Sequence, residues 1–422
     1  MKTSYLCCLI ALSVSLTAAA APETPQVPTD DEAVYQARFA KLFASFRAGL
    51  GLETYEPLEA VPGADNYQPL PRAPQAGIDP SALQRARDYA AANRSSAFLV
   101  WRDGVLEEAS YFGENKAETM LTSRSLAKPM TAIAVGRAIA LGQIRSLDQS
   151  VADFIPEWRE DERRRLILVR HLLDMRSGFL PQSASADPTH ILNRAYLHPR
   201  HDEIIIREYP VIDVPGSRYE YNNASSEMVA VLIERATGRR YAEFISSEIL
   251  QPIGAPGGNV WVNRPAGMAH SGCCLMLPAE AWLRLGILLA ADGVWDGQRL
   301  LPEGYVTEMR RGTAENPYYG LGVYVAGEYT PRRGFAHPER EPDSRKVLHS
   351  EPYLAADVFL FDGNANQVVY IIPSERLVIL RMGDNPPRGE GGEWDNTVLP
   401  NTVLRGILRA RAGSTPGRPD PR

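Results

Sequence analysis

The stretch Ser125–Leu141 reads SLAKPMTAIAVGRAIAL, and its apolar periodicity predicts a helix. Pro129 lacks an N–H group and is tolerated only in the first turn, so the helix is expected to begin close to Ser125. Positions i and i+3 share one helix face, which places the Lys128 amine beside the Ser125 hydroxyl. The stretch therefore predicts a serine–lysine pair at the beginning of a helix.

Such a pair suits nucleophilic catalysis. A serine hydroxyl becomes a good nucleophile when a neighbouring base takes its proton, and a lysine amine can be that base. The positive end of the helix dipole would stabilise an oxyanion beside Ser125. A serine and a lysine three residues apart also occur by chance, and an ordinary solvated first turn is the alternative interpretation. No G-x-S-x-G element and no glycine-rich phosphate loop occurs in the chain.

A second candidate element is Tyr221-Asn222-Asn223, which follows Pro215-Gly216. A tyrosine phenol can pass protons to and from a leaving group, and an asparagine amide offers both a donor and an acceptor. The alternative interpretation is a simple turn, because Pro-Gly and Asn-Asn are turn formers.

Strand patterns lie toward both ends of the chain and helical patterns lie between them, which predicts an α+β fold. Its antiparallel sheet would be built from both chain ends and flanked by helices, beside a subdomain of helices and loops. The predicted strands are 97–101, 105–106, 357–361, 367–372 and 377–381. The predicted helices, besides 125–141, are 32–49, one from Pro80, 171–175, 225–237, 279–291 and 401–411, with short helices in a long loop region over 181–215.

The N-terminal residues 1–21 read as a secretory signal peptide, with one lysine, an apolar stretch and a run of alanines. We expect cleavage near Ala21 and a periplasmic or secreted protein without a stable membrane span. Residues 22–79 are interpreted as an N-terminal extension with a proline-rich linker, 80–411 as the catalytic domain and 412–422 as a disordered tail.

The composition excludes several classes of protein. The formal net charge is −6, which argues against nucleic acid as a partner. After cleavage only Cys273 and Cys274 remain, and because adjacent cysteines rarely pair, two free buried thiols are expected. They are either packing residues or pocket residues. His198 and His201 are three residues apart with Pro199 between them, which favours a solvated loop over a pair of metal ligands. No metal or organic cofactor is expected.

The order of several motifs resembles one family. Ser125–Lys128 is followed by Leu147–Val151, Phe154–Glu157, Val169–Gly178 and Pro215–Asn223. This series resembles the serine hydrolases of the class C β-lactamase and penicillin-binding-protein superfamily, and in particular their esterase and 6-aminohexanoate-dimer-hydrolase-like branch. The resemblance covers about residues 80–410 and implies a β-lactamase/transpeptidase-like fold.

The resemblance also implies roles for individual residues. Ser125 would be the nucleophile, Lys128 its base and Tyr221 a general acid and base, while Asn223 would orient the substrate and Lys128. The family's third motif, a triad with a lysine or histidine that ends in glycine, corresponds to Phe361-Asp362-Gly363, which has no cation. The N–H groups of Ser125 and Asn364 would form the oxyanion hole.

The implied function is an exported serine hydrolase that cleaves an ester or amide through an acyl-enzyme. Because Asp362 would repel a substrate carboxylate, a neutral or cationic small-molecule ester, amide or short peptide is the expected substrate. Asp362 as a mere turn residue that points away is the alternative. Two other functions stay open: a β-lactamase or D,D-carboxypeptidase of the same fold, and a catalytically silent protein that binds a peptide or cell-wall fragment.

Overall fold

The computed structural model describes residues 30–48, 55–181, 185–334, 346–387 and 393–413. The expected signal peptide and nearly all of the expected disordered tail lie outside these residues. The α-helices are α1 Asp30–Arg47, α2 Pro80–Ala92, α3 Lys128–Ala140, α4 Val169–Leu173, α5 Ile191–Leu197, α6 His201–Arg207, α7 Asn223–Thr237, α8 Tyr241–Ile245, α9 Ala279–Ala290, α10 Tyr305–Met309 and α11 Val398–Gly413.

Within the described ranges, the strands form two main sheets and two small two-stranded sheets. They are β1 Leu58–Val61, β2 Ser95–Arg102, β3 Val105–Tyr111, β4 Leu121–Thr122, β5 Gly258–Trp261, β6 Leu275–Leu277, β7 Val294–Trp295, β8 Gln298–Arg299, β9 Tyr324–Val325, β10 Arg332–Gly334, β11 Lys346–Leu348, β12 Phe359–Gly363, β13 Gln367–Ile372 and β14 Leu377–Gly383.

The larger sheet joins the two ends of the chain, as predicted. Its strand order is β3-β2-β14-β13-β12-β9, and all neighbours are antiparallel. The late strand β14 pairs with the early strand β2, with Ile379 opposite Val100. Both faces of β13 and β14 are buried, which explains their continuous apolar sequence. The α+β prediction is confirmed.

Helices cover both faces of this sheet. Helix α9 packs against β13 and β14, and Gly286 lets it approach closely, because a Cβ there would lie 2.7 Å from Val378 Cγ1. Helices α2 and α11 pack together on the opposite face. The predicted start of α2 is confirmed, because Asp79 is its N-cap and accepts a hydrogen bond from the Ser81 N–H at 2.8 Å.

A second, four-stranded sheet was not predicted from the sequence. Its order is β1-β5-β6-β4, and its strands are only two to four residues long. The proline-rich linker contributes β1, so the N-terminal extension forms part of this sheet. At its far edge β4 leads directly into Ser123, whose N–H donates to the Leu275 carbonyl at 2.8 Å. This sheet therefore holds the segment that carries Ser125.

The N-terminal helix α1 packs beside α5 in the region between residues 185 and 207. Glu32 forms an ion pair with Arg194 at 3.0 Å, and Asp31 forms one with Arg200 at 2.7 Å. The Tyr35 hydroxyl donates to the Pro188 carbonyl. The extension thereby braces the long loop region, which contains the expected short helices α5 and α6. Among the described residues, no helix has the length and apolar character to cross a membrane.

Candidate active site

Ser125 lies in a tight first turn ahead of α3. Residues Arg124–Ala127 form a 3₁₀ turn, and the α-helix begins at Lys128 with Pro129 in its first turn. The expectation that the helix starts close to Ser125 is thus met by a 3₁₀ turn that continues into α3. The preceding residue, Arg124, has a left-handed φ of 54°, a costly conformation for a non-glycine residue and one often found beside functional groups. Ser125 itself is half-buried.

Lys128 lies at the centre of what we call the lysine cluster: Ser125, Lys128, Asn223 and Gly272. Its amine nitrogen Nζ is 3.0 Å from Ser125 Oγ, 2.9 Å from Asn223 Oδ1 and 2.9 Å from the Gly272 carbonyl oxygen. The side chain is only 2% exposed. The structure therefore brings together the predicted residues Ser125, Lys128 and Asn223, although 95 positions separate Lys128 from Asn223.

The three partners of Lys128 differ in chemistry. The Asn223 amide oxygen and the Gly272 carbonyl can only accept hydrogen bonds, whereas the Ser125 hydroxyl can also donate one. A neutral amine has two N–H groups and one lone pair. If it donates to Asn223 and Gly272, its lone pair is directed toward the Ser125 hydroxyl. This arrangement is able to remove the serine proton.

Tyr221 lies beside Lys128 in the same site. The Lys128 Nζ atom is 4.9 Å from the centre of the Tyr221 ring, and Tyr221 is 9% exposed. Behind it, Tyr319 meets Tyr221 edge-on with ring centres 6.4 Å apart. Burial raises the pKa of Tyr319 well above its usual value of 10, so its phenol stays neutral. The predicted acid/base residue is thus held between a buried amine and an apolar aromatic wall.

Strand β12 ends against the nucleophile turn. A Cβ on Gly363 would lie 2.8 Å from Leu126 N and 3.3 Å from Ser125 N, so only glycine permits this approach. The next residue, Asn364, is exposed and begins a 3₁₀ turn, Asn364–Asn366, that contacts the turn of Ser125. The backbone of residues 363–364 therefore borders the position where the resemblance expects an oxyanion.

The Asp362 side chain lies on the face of β12 that points away from Ser125, so its predicted substrate-orienting role is wrong. Successive strand residues point to opposite faces, and Asp362 shares its face with Leu360, on the α11 side of the sheet. There Asn396 Nδ2 donates to Asp362 Oδ2 at 3.3 Å. Burial raises the pKa of Asp362 to about 7. The carboxyl group cannot repel a substrate at Ser125, and the alternative of a residue that points away describes it better.

The expectation of free thiols at Cys273 and Cys274 is also wrong, because the structure joins them in a disulfide. Cys274 has a left-handed φ of 71°, which departs from the extended backbone in which adjacent side chains point in opposite directions. The preceding Gly272 supplies the carbonyl that accepts from Lys128, a functional contact that the sequence did not reveal. The interpretation of the neighbouring Cys273 and Cys274 as packing or pocket residues was the nearest that the sequence analysis came to it.

The predicted solvated loop at His198 and His201 is contradicted as well. His198 is 7% exposed and His201 is fully buried. The His198 ring lies against Tyr35 of α1, with ring centres 5.7 Å apart. His201 begins α6 and points inward. The covering helix α1 comes from the distant N-terminal extension, so nothing local in the sequence signals this burial.

Comparison with known proteins agrees with this architecture. The esterase EstB of Burkholderia gladioli is 29% identical over 157 residues, which are 33% of this chain and 38% of the esterase. The chain thus matches well under half of the length of that relative.

Solved structures show a similar fold. A Bacillus anthracis protein provisionally described as a 6-aminohexanoate-dimer hydrolase superimposes with a TM-score of 0.66 at 19% identity, covering 92% of this chain and 99% of that one. A family VIII carboxylesterase superimposes with a TM-score of 0.56 at 15% identity, covering 81% and 99%. Residues 82–398 match the Beta-lactamase family. This match covers most of the sequence, and the chain therefore belongs to the Beta-lactamase family.

Proposed function

We propose that the protein is a serine hydrolase that cleaves an ester or amide bond through an acyl-enzyme on Ser125. The observation that carries this proposal is the 3.0 Å contact between Lys128 Nζ and Ser125 Oγ within a buried lysine cluster. Two further acceptors orient the amine. A hydroxyl this close to it can be deprotonated as it attacks. The similarity to an esterase and to hydrolase folds supports the same chemistry.

The proposed reaction has two halves. Ser125 Oγ attacks the substrate carbonyl while Lys128 takes its proton, and the N–H groups of Ser125 and Asn364 stabilise the oxyanion. Tyr221 delivers a proton to the leaving alcohol or amine, and the acyl group stays on Ser125. A water molecule then attacks the acyl-enzyme with the same groups acting in reverse, which releases the acid and restores the hydroxyl.

We propose a substrate without a carboxylate beside the scissile bond. The segment Phe361–Gly363, where the resemblance expects a cation, has none, and Phe361 is fully buried in the apolar core. The residues of β12 that correspond to the family's third motif therefore offer no positive charge to such a carboxylate. A neutral or cationic acyl compound suits this site better than a β-lactam antibiotic.

We also propose that the protein is exported and that residues 1–21 are removed. The apolar stretch and the alanine run of these residues support this proposal. N-terminal sequencing of protein recovered from the periplasm or medium would give a first residue near Pro22. Recovery of the intact Met1 form from the cytoplasm alone would contradict export.

The activity is tested with p-nitrophenyl butyrate and three proteins: wild type, Ser125→Ala and Ser81→Ala. Ser81 lies exposed at the beginning of α2 and serves as the matched control. We expect Ser125→Ala to lose activity by roughly 10³-fold or more, while Ser81→Ala matches the wild type. Equal rates in wild type and Ser125→Ala would contradict the proposed mechanism.

A further inference from the structure

Behind the lysine cluster lies a second group of buried polar side chains, His201, Glu227 and His270, which we call the histidine cluster. Their exposed fractions are 0%, 1% and 0%. They come from the beginning of α6, the first half of α7 and the segment between β5 and β6. The mechanism proposed above uses none of them.

These side chains are poorly satisfied. His270 Nδ1 lies 3.4 Å from Glu227 Oε2, and His201 Nε2 lies 3.6 Å from the same oxygen. Within the described part of the chain, neither carboxylate oxygen and none of the four ring nitrogens has a hydrogen-bond partner. A buried polar atom without a partner is costly, and six of them in contact are exceptional. An ion or a water molecule among them would satisfy them.

We propose that the histidine cluster binds a divalent transition-metal ion of the zinc class. One ligand atom from each of the three residues lies within 4.8 Å of the other two. Two imidazoles and one carboxylate are a donor set that zinc accepts, and a water molecule would complete a tetrahedron. The ion would also compensate the negative charge of the buried carboxylate.

The surroundings define how binding would change the cluster. The His201 and His270 rings are stacked, with centres 4.1 Å apart and planes 14° from parallel. The His270 ring also stacks on Trp261 at 3.7 Å. Because a metal ion lies near the plane of each imidazole that binds it, we expect the His201 ring to turn while Trp261 holds His270.

Such an ion would be structural and would support the lysine cluster. Glu227 lies one helical turn after Asn223 on α7, and His270 lies two residues before Gly272. Asn223 and Gly272 are the two acceptors that orient Lys128. An ion would tie together the two segments that supply these acceptors and fasten α6 to them. The proposal does not rest on the proposed hydrolysis, because metal content is measured without substrate.

The test uses the full chain without an affinity tag. The protein is unfolded with a chelator, refolded with Zn²⁺ and dialysed, and its zinc is measured by mass spectrometry. We expect about one ion per chain for the wild type and for His349→Gln, and almost none for His270→Gln and Glu227→Gln. His349 is a matched control because it is also buried but lies in another part of the fold.

A second measurement covers the case in which a variant does not fold. Wild-type protein refolded with Co²⁺ should show the visible absorption bands of cobalt bound by nitrogen and oxygen ligands. Its unfolding temperature should also rise with added Zn²⁺, since an ion that binds only the folded state stabilises it. A folded wild type without bound zinc and without cobalt bands would overturn the proposal. Equal zinc in wild type and in folded cluster variants would overturn it too.

Discussion

The lysine cluster and the histidine cluster share two segments of the chain, yet they differ in how their polar atoms are satisfied. Helix α7 contributes Asn223 to the first and Glu227 to the second. The segment before β6 contributes Gly272 to the first and His270 to the second. The Lys128 amine has three partners within 3.0 Å, whereas no polar side-chain atom of the described histidine cluster reaches a hydrogen bond.

This difference separates two kinds of buried polar site. A cluster that satisfies its own groups is preorganised, so its chemistry needs only a substrate. A cluster that leaves its groups unsatisfied indicates a missing ligand, or a stability cost that the rest of the core offsets. Substitutions that affect one cluster and leave the other intact therefore test whether the two clusters differ in this way.

The largest effect is expected for Lys128→Met, which keeps the length of the side chain and removes the amine. We expect kcat for p-nitrophenyl butyrate to fall by about 10²–10⁴-fold, the usual contribution of a positioned general base. The Asn223 and Gly272 oxygens would lose their donor, at a cost of about 1–3 kcal/mol in the free energy of unfolding. Steady-state kinetics and urea denaturation measure the two quantities.

The control for that experiment is Lys116→Met, which changes an exposed lysine in a surface turn. Zinc content should stay unchanged in both variants if the two clusters are independent. A Lys128→Met protein with wild-type kcat would show that another group removes the serine proton.

A smaller loss of activity is expected for Gly363→Ala. The new Cβ would lie 2.8 Å from Leu126 N and must push β12 away from the nucleophile turn. A displacement of this size in a catalytic site costs about 10–100-fold in kcat. The atoms nearest to this Cβ belong to residues 123–126, so the metal content of the histidine cluster should not change.

Gly297→Ala is a useful contrast to Gly363→Ala. Gly297 lies in the β7–β8 hairpin with a φ of 79°, and a Cβ there would meet no other atom within 4 Å. This variant is strained in its backbone and should lose stability without a change in kcat. A loss of kcat as large as that of Gly363→Ala would mean that the effect of Gly363→Ala is not local.

The smallest effect, on stability alone, is expected for Asp362→Asn. Burial raises the pKa of Asp362 from 3.8 to about 7, so the folded state holds its proton more tightly than the unfolded state. The ionised carboxyl thus costs stability progressively as the pH rises from about 4 to about 7. The amide variant escapes this cost, and its free energy of unfolding should exceed that of the wild type by about 1–3 kcal/mol at pH 8.

Urea denaturation at pH 4.5 and pH 8 measures this difference, and Asp65→Asn is the control because Asp65 is exposed. The gain of Asp362→Asn should shrink toward zero at the lower pH. A gain of equal size at both pH values would mean that it has a cause other than ionisation.

The sequence predicted the parts of the fold that depend on long periodic segments. Strand β13 was predicted with its observed bounds, and α7 was predicted to within two residues, because apolar periodicity and the terminal Gly238 mark it clearly. Strands β4 and β6 escaped prediction, since two or three residues carry no periodic signal. Their pairing depends on contacts between distant segments.

In the candidate site, too, local features were predicted from the sequence and features that depend on distant contacts were not. Ser125 and Lys128 were predicted as a pair because their spacing on one helix is local. Tyr221 and Asn223 could equally be read as a simple turn, and only the order of motifs that resembles the family assigned them roles. Gly272 was missed because a backbone carbonyl can belong to any residue. The direction of the Asp362 side chain was misjudged because it depends on the strand register, which brings Gly363 rather than Asp362 to the nucleophile turn.

In the proposed mechanism, Ser125 becomes acylated during turnover. The most direct measurement is mass spectrometry of the wild-type protein, quenched in acid a few milliseconds after mixing with p-nitrophenyl butyrate and then digested. We expect one butyryl group on the peptide that contains Ser125, and none on that peptide from Ser125→Ala. Hydrolysis without an adduct on Ser125, or with an equally abundant adduct on another residue in both proteins, would contradict it.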